Sequence, residues 1–274
     1  MSSNLESYEN NLASRLTELR RGDPAYILHT NAIIEAIAIL SATRDPCDEN
    51  LHILDVGCGL GFTTKAISEF TPEVIGVDLS LATIKLAKQE HSNITFYESS
   101  GESFNEIMIK ETIDRFNIAV VSMVLHSIND GQVLQLLKGI KQCLVPGGAL
   151  IGVIPTPAWL QTKLIEYARD EIKMSSEEGV PWVAQKLAAK EVKLKVKVKS
   201  STKYWPDPVT IYNRSEGEYG ELLRRSGFGA TVIKESGTDV RKAKLSYYKP
   251  LDNLHNYELY KRKRSLFVTF AEEK

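Results

Sequence analysis

The sequence predicts an α/β fold in which a mostly parallel sheet is covered by helices on both faces. Two observations carry this expectation. From Leu51 onward, short apolar runs alternate with amphipathic stretches, the pattern of buried parallel strands joined by crossover helices. Between the first run and the helix after it stand three glycines at alternate positions, Gly57, Gly59 and Gly61. Backbone without Cβ can turn tightly there and approach a ligand closely.

The elements follow in order. Asp23-Pro24 opens a helix through Ala25 to Leu40, since proline suits a first helical turn, and this helix is expected over the sheet's ligand edge. Strands are expected at Leu51 to Val56, Glu73 to Asp78, Asn93 to Glu98, Phe116 to Met123 and Ala149 to Ile154. Helices at Thr63 to Phe70, Leu81 to Glu90, Phe104 to Thr112 and Gly131 to Leu144 separate them. Asp130 reads as the N-cap of the last helix, and Pro146-Gly147-Gly148 ends it. After Ile154 the pattern breaks. Ala158 to Met174 and Val183 to Lys190 read as helices and Val192 to Lys199 as an alternating segment, so residues 157–203 are expected to form an insertion or lid. Tyr219 to Ser226 reads as a helix stopped by Gly227, and strands near Ala230 to Glu235 and Ser265 to Phe270 form a terminal antiparallel pair. No repeat or low-complexity tract interrupts the chain. We expect a single domain over 1–274, with residues 1–45 as N-terminal covering helices.

Composition narrows the function classes. The chain has 274 residues, 43% of them hydrophobic, enough for one sizeable core. Its 34 Lys and Arg against 35 Asp and Glu leave a formal charge of −1, so no global field favours nucleic acid or acidic membranes. The three cysteines, Cys47, Cys58 and Cys143, are scattered without a C-x-x-C pair, which implies a reducing compartment rather than a zinc or dithiol site. Met1 to Asn11 lacks the basic and apolar regions of a secretory signal. The apolar stretches Ala32 to Leu40 and Ile118 to Leu125 fall short of the roughly 20 residues of a membrane helix. A cytoplasmic protein with no membrane partner is expected.

The run Ile53-Leu54-Asp55-Val56-Gly57-Cys58-Gly59-Leu60-Gly61-Phe62 puts the glycines directly after a strand and before a helix, whose free amides can meet a polar ligand group. A dinucleotide fingerprint needs its third glycine one place later, where Phe62 stands. Roughly twenty residues on, Asp78 ends the strand Ile75-Gly76-Val77-Asp78, where such folds keep the acid that accepts both ribose hydroxyls.

These residues, with Leu144-Val145-Pro146-Gly147-Gly148, resemble the class I, Rossmann-like S-adenosylmethionine-dependent methyltransferases of small-molecule type. The resemblance covers about Leu51 to Ile154. It implies a seven-stranded methyltransferase sheet, mostly parallel with a terminal antiparallel strand pair. It also implies S-adenosyl-L-methionine as cofactor, S-adenosyl-L-homocysteine as product, and no metal. Asp55, Gly57, Cys58, Gly59 and Gly61 would frame the methionine part, Asp78 the ribose, and Leu79 the adenine. Relatives often carry a Gly-Asp-Ala-Glu run where this sequence reads Ser99-Ser100-Gly101-Glu102. The family aspartate is absent, and Ser100 offers a neutral acceptor instead. Glu102 is equally readable as a solvated helix-start charge. Tyr26 would reach the methionine carboxylate, and Ser122 stands where amino-directed DNA methyltransferases carry their Asn/Asp-Pro-Pro-aromatic signature, which is missing here.

Methyl transfer from a sulfonium is an in-line displacement, so alignment and exclusion of water are the protein's chief tasks. A hydroxyl acceptor also needs a base. His126, just past the fourth strand, is the first candidate, since an ordinary pKa near 6.5 suits the task; a structural role for it is as readable. His29, on the first helix, is the competitor, with a packed side chain as its plainer reading. Trp159, Trp182, Tyr204, Trp205 and Tyr212 cluster in and after the lid, where aromatic faces can wall an organic substrate. Lysines 193, 195, 197 and 199 occupy one face of an edge strand. Tyr212-Asn213-Arg214-Ser215 with Tyr219 and Ser226-Gly227-Phe228 resembles the element after the fifth strand in small-molecule methyltransferases.

The expected activity is methyl transfer to an oxygen or nitrogen of a small metabolite or natural product, with no nucleic-acid partner and a homodimer as the assembly considered. A methyltransferase acting on protein, peptide or RNA, and a noncatalytic cofactor-binding regulatory module, are the alternatives.

Overall fold

The inner strands are largely apolar runs because both their faces are covered, and the computed structural model shows how. It describes residues 24–42, 51–100, 104–195, 208–229, 231–235 and 264–272. The strands β1 (Ile53–Val56), β2 (Val74–Asp78), β3 (Thr95–Glu98), β4 (Phe116–Ser122) and β5 (Leu144–Pro155) lie parallel. Two more follow a second pair, β6 (Glu191–Leu194) and β7 (Val209–Tyr212): these are β8 (Val232–Glu235) and β9 (Arg264–Phe270). Among the described residues the main sheet has seven strands in the order β3-β2-β1-β4-β5-β9-β8, and β6 and β7 form a two-stranded sheet of their own. The terminal pair is antiparallel as expected, β9 running against both β5 and β8.

Alternation along the strands divides the core in two, since successive side chains point to opposite faces. Ile53, Ile118, Val120 and Ile151 face the helix α1 (Pro24–Ala42), packed with Ala32, Ile33, Ala36 and Ile37. Leu54, Val56, Ala119, Val121 and Leu150 face the other side. There they meet α4 (Phe104–Glu111), α5 (Asp130–Cys143) and α8 (Glu216–Arg225) through Ile107, Leu137, Ile140, Leu222 and Leu223. The helices α2 (Phe62–Ser68) and α3 (Leu81–Glu90) cross between β1, β2 and β3. At roughly 25 cal/mol per Å² of apolar area removed from water, these two layers dominate the stability of the sheet.

Beyond β5 the chain forms α6 (Pro157–Tyr167), a π-helical turn (Ala168–Ile172) and α7 (Ser176–Ala188) before β6. Leu160, Leu164, Val183, Val192, Leu194 and Ile211 give this α6–β7 unit its own small core. A cavity of about 500 Å³ opens between α6 and α7, lined by Ile165, Arg169, Met174, Val180 and Leu187 among others.

Several boundaries differ from the expectation for identifiable reasons. Asn129, not Asp130, caps α5: its side chain accepts from Gln132 N–H while the Gln132 side chain accepts from Asn129 N–H, a reciprocal capping box. That frees the Asp130 carboxylate for Arg214. The helix ends at Cys143, and β5 runs through Pro146-Gly147-Gly148, which the register shift between Phe116 and Ile118 accommodates. The expected helix Ala158 to Met174 gives way at Tyr167 to the π turn. The one expected at Val183 begins at Ser176, with a Ser175–Glu178 capping box and Pro181 inside. Likewise α8 begins at Glu216 behind a Ser215–Glu218 box. The strand β7 was not foreseen. Of the expected strand Val192 to Lys199, residues 196–199 lie outside the described residues, as do Ala230, residues 1–23 and 43–45 of the N-terminal segment, and residues 196–203 of the expected lid.

Gly152 in β5 lies under the ring of Phe267 in β9, where an added Cβ would come within 2.0 Å of Phe267 Cζ. Gly152→Ala is expected to cost about 1–3 kcal/mol by overpacking. A urea unfolding midpoint equal to the parent's would mean the ring moves aside freely.

Candidate functional site

Chain order places the site. From β1 the strands step outward one way to β2 and β3, and from β4 the other way to β5, so the order reverses between β1 and β4. Ligands of open α/β sheets bind outside the carboxyl ends of the strands at this switch point. Here those ends are Val56-Gly57 and Ser122-Met123.

The turn after β1 is folded back on β2: Gly57 N–H and Cys58 N–H both donate to Val77 O, at 2.8 and 2.9 Å. Gly57 and Gly61 hold φ of +71° and +78°, a left-handed conformation that favours glycine. There is no room for a side chain either, since a Cβ on Gly57 would meet Val124 Cγ2 at 2.2 Å and one on Gly61 would meet Phe96 Cζ at 2.6 Å. Cys58 packs inward with Ile84 and Phe96.

Two carboxylates flank this turn. Asp78, at the end of β2, accepts from Gly59 N–H at 2.8 Å through Oδ2 and from Ser80 N–H at 2.9 Å through Oδ1. A carboxylate has about four acceptor positions, so oxygens fixed this way still have capacity for a pair of ligand hydroxyls. Leu79 beside it is 49% exposed, and Ser100 is half-buried at the end of β3. Asp55, in β1, is 1% exposed and accepts from Thr64 Oγ1 at 2.7 Å. Burial pushes its pKa up to about 7, against the lowering by the Thr64 hydroxyl and with a smaller rise from the charge of Asp78.

On the β4 side, Met123 has φ +58°, an uncommon conformation for a non-glycine residue, and its N–H donates to Val153 O at 2.8 Å. This bend brings Val124 onto Gly57 and leads into a short 3-10 turn, Leu125–Ser127. His126 is buried there, its ring in edge contact with Trp159 of α6 at 5.6 Å between centroids. Its Nε2 lies 3.5 Å from Ser127 Oγ.

The structure thus brings Asp55, Gly57, Cys58, Gly59, Gly61, Asp78, Leu79 and Ser100 together, with Ser122 across the switch point and His126 beside Trp159. His29 is fully buried on α1. Trp182 packs against Tyr167 and Lys186 within the α6–β7 unit. The Tyr26 side chain, Gly101, Glu102 and Tyr204 lie outside the described residues. Sequence reasoning missed Thr64, which fixes Asp55, and Arg214, buried beneath the His126 turn. It also missed Thr63, Thr30 and Asn31, whose side-chain polar atoms, like the Ser122 Oγ of the expected site, are buried without a hydrogen-bond partner among the described residues. An unsatisfied buried polar group costs about 1–3 kcal/mol, and of these Ser122 Oγ closes β4 while Thr63 Oγ1 lies in the first turn of α2, both beside the switch point. The signal for two of them was Thr30-Asn31 within an otherwise apolar helix.

Residues 28–228 match the methyltransferase domain family, and the chain belongs to it. Among curated relatives, the ubiquinone biosynthesis O-methyltransferase of Coxiella burnetii is 33% identical over 103 residues, covering 36% of this chain and 41% of that protein. The carboxy-S-adenosyl-L-methionine synthase of Stutzerimonas stutzeri is 29% identical over 140 residues, covering 48% and 54%. The chain therefore spans about half or less of the curated relatives it matches. Among solved structures, magnesium protoporphyrin IX methyltransferase from Synechocystis with bound SAH shares the fold. Its TM-score is 0.56 at 13% identity, over 98% of both chains.

The Asp55 pKa lies above its ordinary value, so the fold favours the protonated carboxyl. That contribution is complete below about pH 4 and is lost as pH rises through about 7. Without ligand, the parent's Tm is expected to fall more between about pH 5 and pH 8 than that of Asp55→Asn, whose amide cannot ionise. Parallel Tm profiles would remove the neutral-carboxyl assignment.

Proposed function

We propose that the chain is an S-adenosylmethionine-dependent methyltransferase acting on an oxygen or nitrogen of a small organic molecule. The observation that carries this reading is the Asp78 carboxylate, fixed by Gly59 and Ser80 amides at the strand end beside a glycine turn too tight for any side chain. Ser122 Oγ and Thr63 Oγ1, buried and without a hydrogen-bond partner among the described residues, fit a polar ligand beside that turn. Among the described residues no helix is long and apolar enough to cross a membrane.

In this reading Asp78 accepts from the ribose hydroxyls. Asp55, Gly57, Cys58, Gly59 and Gly61 frame the methionine end with Tyr26 and Ser122, and Leu79, Ser100, Gly101 and Glu102 lie on the adenine side. When bound, the cofactor supplies an electrophilic methyl group on a sulfonium. The chain's own work is to hold the acceptor in line and keep water out. His126, facing Trp159, takes the proton from a hydroxyl acceptor onto an imidazole nitrogen as the oxygen–carbon bond forms; an amine acceptor that is already neutral needs only alignment. The α6–β7 unit, within residues 157–203 and the strand after it, is the lid. Trp159 walls the acceptor, with His29, Trp182 and Tyr204 as further substrate contacts. The O-methyltransferase relative favours oxygen over nitrogen, and the balanced charge of the chain favours a small acceptor over nucleic acid.

Calorimetry with S-adenosylhomocysteine tests the reading. The parent is expected to bind, and Asp78→Ala to bind at least about tenfold more weakly, near 1.4 kcal/mol. Equal affinity in the variant would remove the ribose assignment, and NADH seated in its place would end the proposal. With an acceptor found by screening small phenols and carboxylic acids against methyl-labelled donor, His126→Ala is expected to lower kcat by about 10²-fold or more while leaving cofactor affinity unchanged. Retained turnover would make His126 structural.

A further inference from the structure

Arg214 stands where the chain leaves the two-stranded sheet after β7 and turns into α8, just before the cap Ser215. Its side chain is 3% exposed. A buried guanidinium costs several kcal/mol unless its donors are met, and here they are met almost entirely by one short segment far away in sequence. Nη1 donates to Leu125 O at 2.7 Å, Nη2 to Ile128 O at 2.7 Å, and Nε to Asp130 Oδ1 at 2.8 Å. Tyr212 and Tyr219 flank the guanidinium, with centroids 5.3 and 5.6 Å from Cζ. The two carbonyls it grips bracket His126. Leu125 opens the 3-10 turn and Ile128 lies just past it, outside any helix or strand, so without Arg214 both carbonyls would lose a charged donor that fixes the path of the 125–128 segment.

The other contact that defines His126 is Trp159, at the start of α6. The His126 turn is therefore held from both ends of one unit: α6 presents the indole and the residue after β7 anchors the backbone. The planar, five-donor guanidinium can serve two carbonyls and a carboxylate at once, and a lysine ammonium cannot reproduce that geometry. From this we propose that Arg214 is a positioning residue: it couples the seating of the α6–β7 unit to the placement of His126 against Trp159, on the acceptor side of the site. The functional weight of the coupling rests on the methyl-transfer reading above. The contact network itself does not.

The test reads the His126–Trp159 contact directly. In the full chain, the His126 Hε1 resonance is assigned by its loss in His126→Asn. Its displacement by the indole ring current is then measured against Trp159→Leu. In Arg214→Met the resonance is expected to move at least about half of the way to its Trp159→Leu position, and in Arg214→Lys part of that way. Affinity for S-adenosylhomocysteine is expected to stay within about threefold of the parent, because Arg214 bonds none of the residues around the glycine turn. A folded Arg214→Met protein with an unmoved resonance and only a lower Tm would reduce Arg214 to a packing role and overturn the proposal. Selective loss of S-adenosylhomocysteine binding in the variant would overturn it as well. Should Arg214→Met not fold, Arg214→Lys decides by the same resonance: movement supports the coupling, and its absence ends it. If the parent itself does not bind S-adenosylhomocysteine, the methyl-transfer reading fails while the resonance still judges Arg214.

Discussion

The grip of Asp78 on the Gly59 amide is the contact on which the site depends. The turn after β1 cannot be held by its own side chains, because it has almost none: three glycines, an inward cysteine and a buried leucine. Its shape is imposed from outside. Val77 O takes two of its amides, the Asp78 carboxylate takes a third, and Val124 closes over Gly57. Charge-assisted bonds of this kind are about twice as strong as neutral ones. The carboxylate proposed to receive ligand hydroxyls is thus the same group that shapes the glycine turn, so in that reading recognition and local folding share one side chain.

Asp55 and Asp78 sit on neighbouring strands with opposite environments. Asp78 lies half-buried at a strand end among backbone donors, whereas Asp55 lies deeper, with the Thr64 hydroxyl as its recorded partner. Burial makes the second carboxyl hover near neutrality, so its charge responds to whatever cationic group comes near. Depth and hydrogen-bond partners together give two acids of one type different environments.

How much of this was legible in the sequence depended on the range of the interactions involved. The strands β1, β2 and β4 could be read because a strand buried on both faces is uniformly apolar, and the glycine turn because its constraint is local. Asp55, Asp78 and His126 followed from those placements. The capping boxes at Asn129–Gln132, Ser175–Glu178 and Ser215–Glu218 are equally local, and α7 continues through Pro181 from a start seven residues before Val183. The strand β7 is four residues long and makes sense only once its partner β6 is in place. Arg214 and Thr64 were invisible as site residues for the same reason. Their importance is a matter of what they bond, and for Arg214 that partner lies 84 residues away. The buried Thr30 and Asn31 are legible locally, as adjacent polar residues within an otherwise apolar helix.

The sheet order has a consequence for biosynthesis. Among the described residues β8 has no neighbour but β9, and β9 is the strand that covers the open side of β5. As the chain emerges, β1 to β5 can assemble while the ribosome is still at work, leaving a long apolar strand with its amides and carbonyls bare. β8 follows after β6, β7 and α8, and it joins the sheet only through β9. Only when Arg264 to Phe270 slides between the two is the long border of β5 covered, and the short β8 becomes the edge. Until then the nascent protein carries the kind of unprotected border that recruits other chains, so the interval between synthesis of β5 and β9 is when it most needs shielding by a chaperone.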